Sequence, residues 1–190
     1  SVSRGLGDVY KRQFYHRLTH KSDYSRQACA EPITILPDGS IPQVEITSCG
    51  LNGKPLHGTG TYPAVIACNI TNGHMPHGSN KIYTDSFPNA THCGEDRFIG
   101  EIQDGTMLGY KYFAFSGAKE IGVQYRGSCN GKFVVSDDMD GKNIVAEIPI
   151  APADAWTESR APLHISDGTH PLYLFYRGDG EAAVKELYLA

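Results

Sequence analysis

The sequence predicts an all-β fold, and three observations carry that prediction. Asp-Gly or Asn-Gly pairs begin at positions 38, 52, 72, 104, 130, 140, 167 and 179. Such pairs tolerate the positive φ angles of tight hairpins. Between the turns, apolar and polar residues alternate, the period-two pattern of a strand with one buried face. No long stretch keeps a 3.6-residue period, and 21 glycines and 11 prolines interrupt helical runs.

In chain order, FYHRLTH (14–20) reads as the first strand. QACAEPITILPDGSIPQVEITSCGL (27–51) reads as a hairpin turning at Asp38-Gly39, and TYPAVIACNI (61–70) as a further strand. Apolar period is lost in NGHMPHGSNKIYTDSFPNATHCGEDR (72–97), which reads as a linker or meandering surface segment. Three or four strands before it are too few for an independently stable β-domain, so they need a partner to pack on. From Tyr110 onward, strands fall every 8 to 12 residues, the spacing of a sandwich or barrel. YKYFAF (110–115) is the first of them. EIGVQYRG (120–127) sets Ile121, Val123 and Tyr125 against Gln124 and Arg126. IVAEIPI (144–150) sets Ile144, Ala146, Ile148 and Ile150 on one face. WTESRAPLHI (156–165) follows the turn-like APADA, and PLYLFYRG (171–178) is apolar on both faces and so covered on both.

Composition narrows the function classes. The net charge is −4, so no basic face for nucleic acid is expected. The longest apolar run, PAVIAC (63–68), is too short to cross a membrane. The cysteines at 29, 49, 68, 93 and 129 form no CxxC pair. If the chain turns at Asp38-Gly39, Cys29 and Cys49 lie nearly opposite. That arrangement fits either a cross-strand disulfide or two small buried side chains. The histidines of HMPH (74–77) and His92 read as surface residues of a polar segment rather than metal ligands. His16, inside an apolar strand, is a core histidine or part of a site on that strand's face. SDDMDGK (136–142) resembles a calcium loop, but Pro149 stands eleven residues after Asp138, where the loop needs glutamate. It reads as a polar hairpin turn. Neither GxSxG nor a Walker loop occurs. Acids such as Asp104, Asp140, Asp167 and Asp179 fall in turns, where carboxylates bond to local backbone. No pair of them is nominated for glycosidic cleavage. Tyr110 and Trp156 sit at strand ends near loops, where their rings can stack on the C–H face of a sugar; the plainer reading has Trp156 capping the core.

FYHRLTH followed by SRQACAEPITILPDGSIPQVEIT resembles the final blade of a glycoside hydrolase family 43 enzyme, a five-bladed β-propeller acting on arabinose- and xylose-containing polysaccharides. From about Phe98, IQDGTMLGYKYFAF, AKEIGVQYRG and WTESRAPLHISDGTHPLYLFYRGDG resemble a family 6 carbohydrate-binding module. SVSRGLGDVYKRQ (1–13) resembles translated adaptor sequence and is set outside the fold. The expected fold class is therefore all-β, with incomplete β-propeller blade(s) followed by a β-sandwich (jelly-roll) module. The expected boundaries are 1–13 foreign, 14–71 propeller remnant, 72–95 linker and 96–190 sandwich.

The resemblance implies the C-terminal part of a secreted or periplasmic glycosidase, whose sandwich binds a polysaccharide or oligosaccharide. No nucleic-acid or membrane partner is expected. The family's catalytic carboxylates come from earlier blades, so this stretch is expected to be inactive alone. The family's metal-holding histidine precedes the FYHR strand, which sets His16 aside as that ligand. In the sandwich, Tyr110 and Trp156 match the sugar platform. Where the family writes Asn-x-Asp for sugar and calcium, this chain has Ala183-Val184-Lys185. A lysine repels calcium, so no cofactor is expected here, and calcium is left open for the full-length parent. Asp179 and Glu181 stand close enough to replace the lost hydrogen-bonding partner. The alternative expectation is a sandwich without a ligand, supporting the propeller.

Overall fold

The computed structural model describes residues 11–73 and 86–190. Residues 1–10 of the adaptor-like segment and the HMPH histidines lie outside the described residues, but Arg12 and Gln13, set outside the fold from sequence, begin the first strand, opposite Pro32 and Glu31. Strands β1 (Arg12–Thr19) and β2 (Ser22–Pro32) form an antiparallel hairpin. It turns at His20-Lys21, both in left-handed backbone at φ 57° and 50°. Such paired positive angles match the right-handed twist of the flanking strands. The hairpin expected at Asp38-Gly39 is only a local turn. Gly39 has φ 84°, and the Asp38 carboxylate accepts from the Ser40 amide at 2.9 Å. Pro32, Pro37 and Pro42 remove ladder donors around that turn, so no strands flank it. Cys29 consequently stands opposite Tyr15 rather than Cys49, and all five cysteines are free thiols.

The remaining strands build two packed sheets. They are β3 (Leu56–His57), β4 (Gly60–Pro63), β5 (Asn69–Thr71), β6 (Asn89–Cys93), β7 (Asp96–Ile102), β8 (Met107–Phe115), β9 (Glu120–Gly127), β10 (Asn130–Ser136), β11 (Ile144–Ile150), β12 (Ala153–Pro162), β13 (Gly168–Asp179) and β14 (Ala182–Leu189). One sheet runs β11-β10-β13-β8-β3, with β5 also on β8; the other runs β12-β9-β14-β7-β6, with β4 also on β14. This is the expected all-β sandwich, but its limits differ from the sequence expectation. Strands β3, β4 and β5 precede residue 72 and β6 lies within 72–95, yet all four pair into the two sheets. The predicted single strand 61–70 leaves one sheet after Pro63, crosses through a 3₁₀ turn at Ala64–Ile66, and joins the other at Asn69. The crossing places Ala64, Val65 and Ala67 in the core beside Ile99, Leu108 and Val184.

The alternation read from the sequence holds for β9, where Ile121, Val123 and Tyr125 are buried. It shifts in β11. A register slip between Val135 and Ser136 leaves Ile144 53% exposed and buries Val145 beside Ala146. The turn 136–142 is the polar turn expected, with the Asp138 carboxylate accepting from the amides of Lys142 and Asn143. Hydrogen bonds fasten the β1–β2 hairpin to the sandwich. Arg17, largely buried, donates to the carbonyls of Val65 and Ala67, and Gln27 donates to Val65 at 3.0 Å. Glu31 is 1% exposed and accepts from the Thr47 amide (2.7 Å), the Thr47 hydroxyl (2.8 Å) and the Tyr15 hydroxyl (3.2 Å).

Candidate functional site

The outer face of the β12-β9-β14-β7-β6 sheet carries a groove of about 690 Å³. Its floor is low because β14 contributes Ala183 and β7 contributes Gly100. A Cβ on Gly100 would lie 3.3 Å from the Phe98 ring, so the glycine keeps that aromatic edge open. One end is closed by Gly127, where φ is 132° and a Cβ would meet the Glu181 carbonyl at 2.2 Å. Only glycine lets β9 and β14 approach there. The other end is formed by His20 and Lys21 from the hairpin turn.

Charged groups converge on this face from separate strands. A bulge puts Glu101 at φ 55° and breaks the β7–β14 register. Bulges re-aim side chains, and Glu101 here meets the Lys21 ammonium at 2.8 Å and the Asn89 amide at 3.2 Å. Lys185 holds Asp96 at 2.6 Å, and the Trp156 indole donates to the same carboxylate at 2.8 Å. The Lys185 bond, then the Trp156 bond, hold the Asp96 carboxyl below its ordinary pKa. Arg126 lies over the Trp156 ring at 4.4 Å and over Phe98 at 5.3 Å. The two rings meet edge to face at 5.5 Å. Beyond the groove's end, His20 Nε2 accepts the His92 amide at 2.9 Å, and burial followed by the neighbouring His92 lowers the His20 pKa.

The four residues nominated from sequence have different fates. Trp156 is half-buried and supports Arg126 at the groove; Glu181 lines the groove directly. Asp179 is exposed at the end of β13, opposite Asn130, and does not line the groove. Tyr110 requires correction. Its ring is 0% exposed, and its hydroxyl donates to the Ala64 carbonyl at 3.1 Å, so no face is left for a ligand. Burial pushes its phenol pKa above the ordinary value. Lys185 is engaged by Asp96. His16 lies on the hairpin, away from this groove. Arg126, Phe98, Glu101 and Lys21 were missed. The alternation of β9 does place Arg126 on the outer face, but its neighbours come from strands more than twenty residues away. Among the described residues, no group of three or more His, Cys, Asp or Glu side chains is arranged to hold a metal ion.

No family model matches the chain. A curated protein from Thermoclostridium stercorarium named "Xylosidase/arabinosidase" is 42% identical over 189 residues, covering 93% of this chain and 39% of that protein. The chain thus spans about two-fifths of this relative's length. Among solved structures, a family 6 carbohydrate-binding module from Clostridium cellulolyticum, in complex with xylose, superposes with TM-score 0.59 at 14% identity, over 70% of this chain and 98% of that one. A family 6 module from Clostridium stercorarium, in complex with cellobiose, gives 0.58 at 12% identity, over 73% of this chain and 98% of that one. A glycoside hydrolase family 43 arabinoxylan arabinofuranohydrolase from Bacillus subtilis, in complex with cellotetraose, gives 0.55 at 17% identity, over 87% of this chain and 34% of that one. The chain is therefore a homologue of a xylosidase/arabinosidase, and its β-sandwich has the fold of the family 6 carbohydrate-binding modules.

Proposed function

We propose that the groove on the outer sheet face binds a hemicellulose chain of the arabinose- and xylose-containing type, and that this chain serves a glycosidase as its binding part. The observation that carries the reading is the groove's composition. An aromatic edge at Phe98, a floor of Gly100 and Ala183, and polar groups at Asn89, Thr91, Arg126 and Glu181 lie on one exposed face. A sugar ring needs that pairing of an apolar surface with donors and acceptors around its rim. The names of the relative and of the folded neighbours agree with such a ligand. The proposed role of this chain is binding, with bond cleavage left to the glycosidase it serves, and a polymeric ligand supports a place of action outside the cytoplasm.

The test is affinity electrophoresis of the whole chain in gels containing soluble arabinoxylan. Wild type should be retarded. Trp156→Ala, which removes the support of Arg126, and Ala183→Trp, which fills the floor, should both run freely. Wild type running freely, or both variants retarded as strongly as wild type, overturns the reading.

A second reading has its own support. The hairpin is fastened to the sandwich through Arg17, Gln27 and the Lys21–Glu101 pair. These contacts suit a sandwich that supports whatever covers the exposed side of the hairpin, where Phe14 is 70% and Tyr24 98% exposed.

A further inference from the structure

We propose that the groove selects an acidic saccharide, with Arg126 taking the carboxylate of a uronic acid branch on the xylan chain. This rests on the groove being the binding site, and it adds which sugar the site prefers. The argument starts from which charges remain uncompensated. Lys185 is paired with Asp96 at 2.6 Å, and Lys21 with Glu101 at 2.8 Å. Arg126 is the groove cation left over. Its guanidinium donates no hydrogen bond to any of the described residues; it lies over Trp156 and Phe98, and the nearby Asp96 carboxylate is already bound by Lys185 and Trp156.

A guanidinium lying on aromatic rings keeps its planar fork of N–H groups free at the edge. That fork matches a carboxylate with two parallel bonds, and a hydroxyl engages only part of it. Stacking at 4.4 Å on a Trp anchored by its own bond to Asp96 fixes the fork before a ligand arrives. Acceptors for the sugar's hydroxyls line the same groove. Asp154 accepts no hydrogen bond from the described residues, and Glu181 has only a long one, from Gln103 at 3.5 Å. A uronate uses both sets, its carboxylate on Arg126 and its ring hydroxyls on the acids. A neutral pentose brings no carboxylate to the fork. The two free carboxylates also oppose an anionic ligand, which gives a second handle on the idea.

The experiment is calorimetric titration of the whole chain with two probes: a methylglucuronate-substituted xylo-oligosaccharide, and the same compound with its carboxyl reduced to the alcohol. The acidic probe should bind tighter by roughly three- to tenfold, the range set by an exposed ion pair and a charged hydrogen bond. Raising the salt to about 0.5 M should narrow the gap. Arg126→Gln should weaken both probes and bring them to equal affinity, the acidic probe losing the more. Asp154→Asn, which keeps an acceptor and removes a like charge, should widen it. Trp156, the only tryptophan in the chain, reports folding in each variant and the movement of Arg126 on its face. Equal binding of the two probes by wild type overturns this proposal and leaves the groove reading standing. Binding of neither probe removes the groove reading and this one with it.

Discussion

Tyr110→Phe separates a core residue from a sugar platform. The Tyr110 ring is fully buried and its hydroxyl donates to the Ala64 carbonyl at 3.1 Å. Phenylalanine fills nearly the same volume, so no cavity forms. What is lost is one buried hydrogen bond, leaving the Ala64 carbonyl without its donor, at a cost of about 1–2 kcal/mol. For a chain of this size each kcal/mol lowers the melting temperature by about 2–4 °C, so a fall of roughly 2–8 °C follows. Tyr110→Ala adds a ring-sized void and costs about 3–5 kcal/mol. Urea unfolding reads the change as a lower midpoint at constant slope. Affinity for arabinoxylan, measured on the folded Tyr110→Phe protein, should not change. Because Ala64 lies in the crossing between sheets, amide exchange should rise first in residues 60–71. An unaltered midpoint with lost sugar affinity would refute the reasoning, since it would put the phenol at a ligand rather than in the core.

Glu31→Ala removes the acceptor shared by the Thr47 amide, the Thr47 hydroxyl and Tyr15. It should cost about 2–4 kcal/mol, as expected for a buried charged acceptor with several donors. The Thr47 amide should lose its protection in hydrogen exchange while the sandwich strands keep theirs. The His20 contact should weaken in acid. Its Nε2 accepts from the His92 amide and must be unprotonated to do so. Burial and His92 depress its pKa below the ordinary value near 6.5. Its contribution is therefore fully present above about pH 6.5 and is lost as pH falls below that value through the depressed folded pKa. The protection of the His92 amide, its exchange rate relative to the unfolded chain at the same pH, should fall below pH 6.5 in wild type, and a protection independent of pH would contradict the contact.

The sequence disclosed strand identity better than strand membership. Turn dipeptides and alternation were sufficient for β9 and β13, because each of those strands has a continuous apolar set facing the core. They failed where a local signal and a long-range partner disagree. Asp38-Gly39 does turn, but the flanking prolines leave nothing to pair, and the real hairpin turns at His20-Lys21 on two residues with no glycine to announce it. The 61–70 stretch is apolar enough for one strand, yet it divides between two sheets, which only the positions of β8 and β14 decide. Tyr110 and Trp156 looked equivalent as aromatics at strand starts. Their burial differs because Tyr110 points into the space filled by the crossing, and nothing within ten residues of it encodes that. The groove is the extreme case: its cation, rings and acids come from β6, β7, β9, β12, β14 and the hairpin turn, so no motif contains them.

That distribution bears on what the binding unit is. Lys21 belongs to the β1–β2 hairpin, outside both sheets, yet it neutralises Glu101, which a bulge in β7 turns toward the groove. Without Lys21, Glu101 would join Asp154 and Glu181 as a third groove acid with no ion-pair partner. A sandwich cut at the boundary suggested by the sequence would lose β3 to β6, the core residues Ala64, Val65 and Ala67, and this charge balance together. The hairpin is in turn held in place by Arg17 and Gln27 on the carbonyls of the same crossing segment. Fold stability and ligand electrostatics thus meet at residues 64–67. The stretch that resembled the end of a neighbouring domain is part of the surface that would read the sugar.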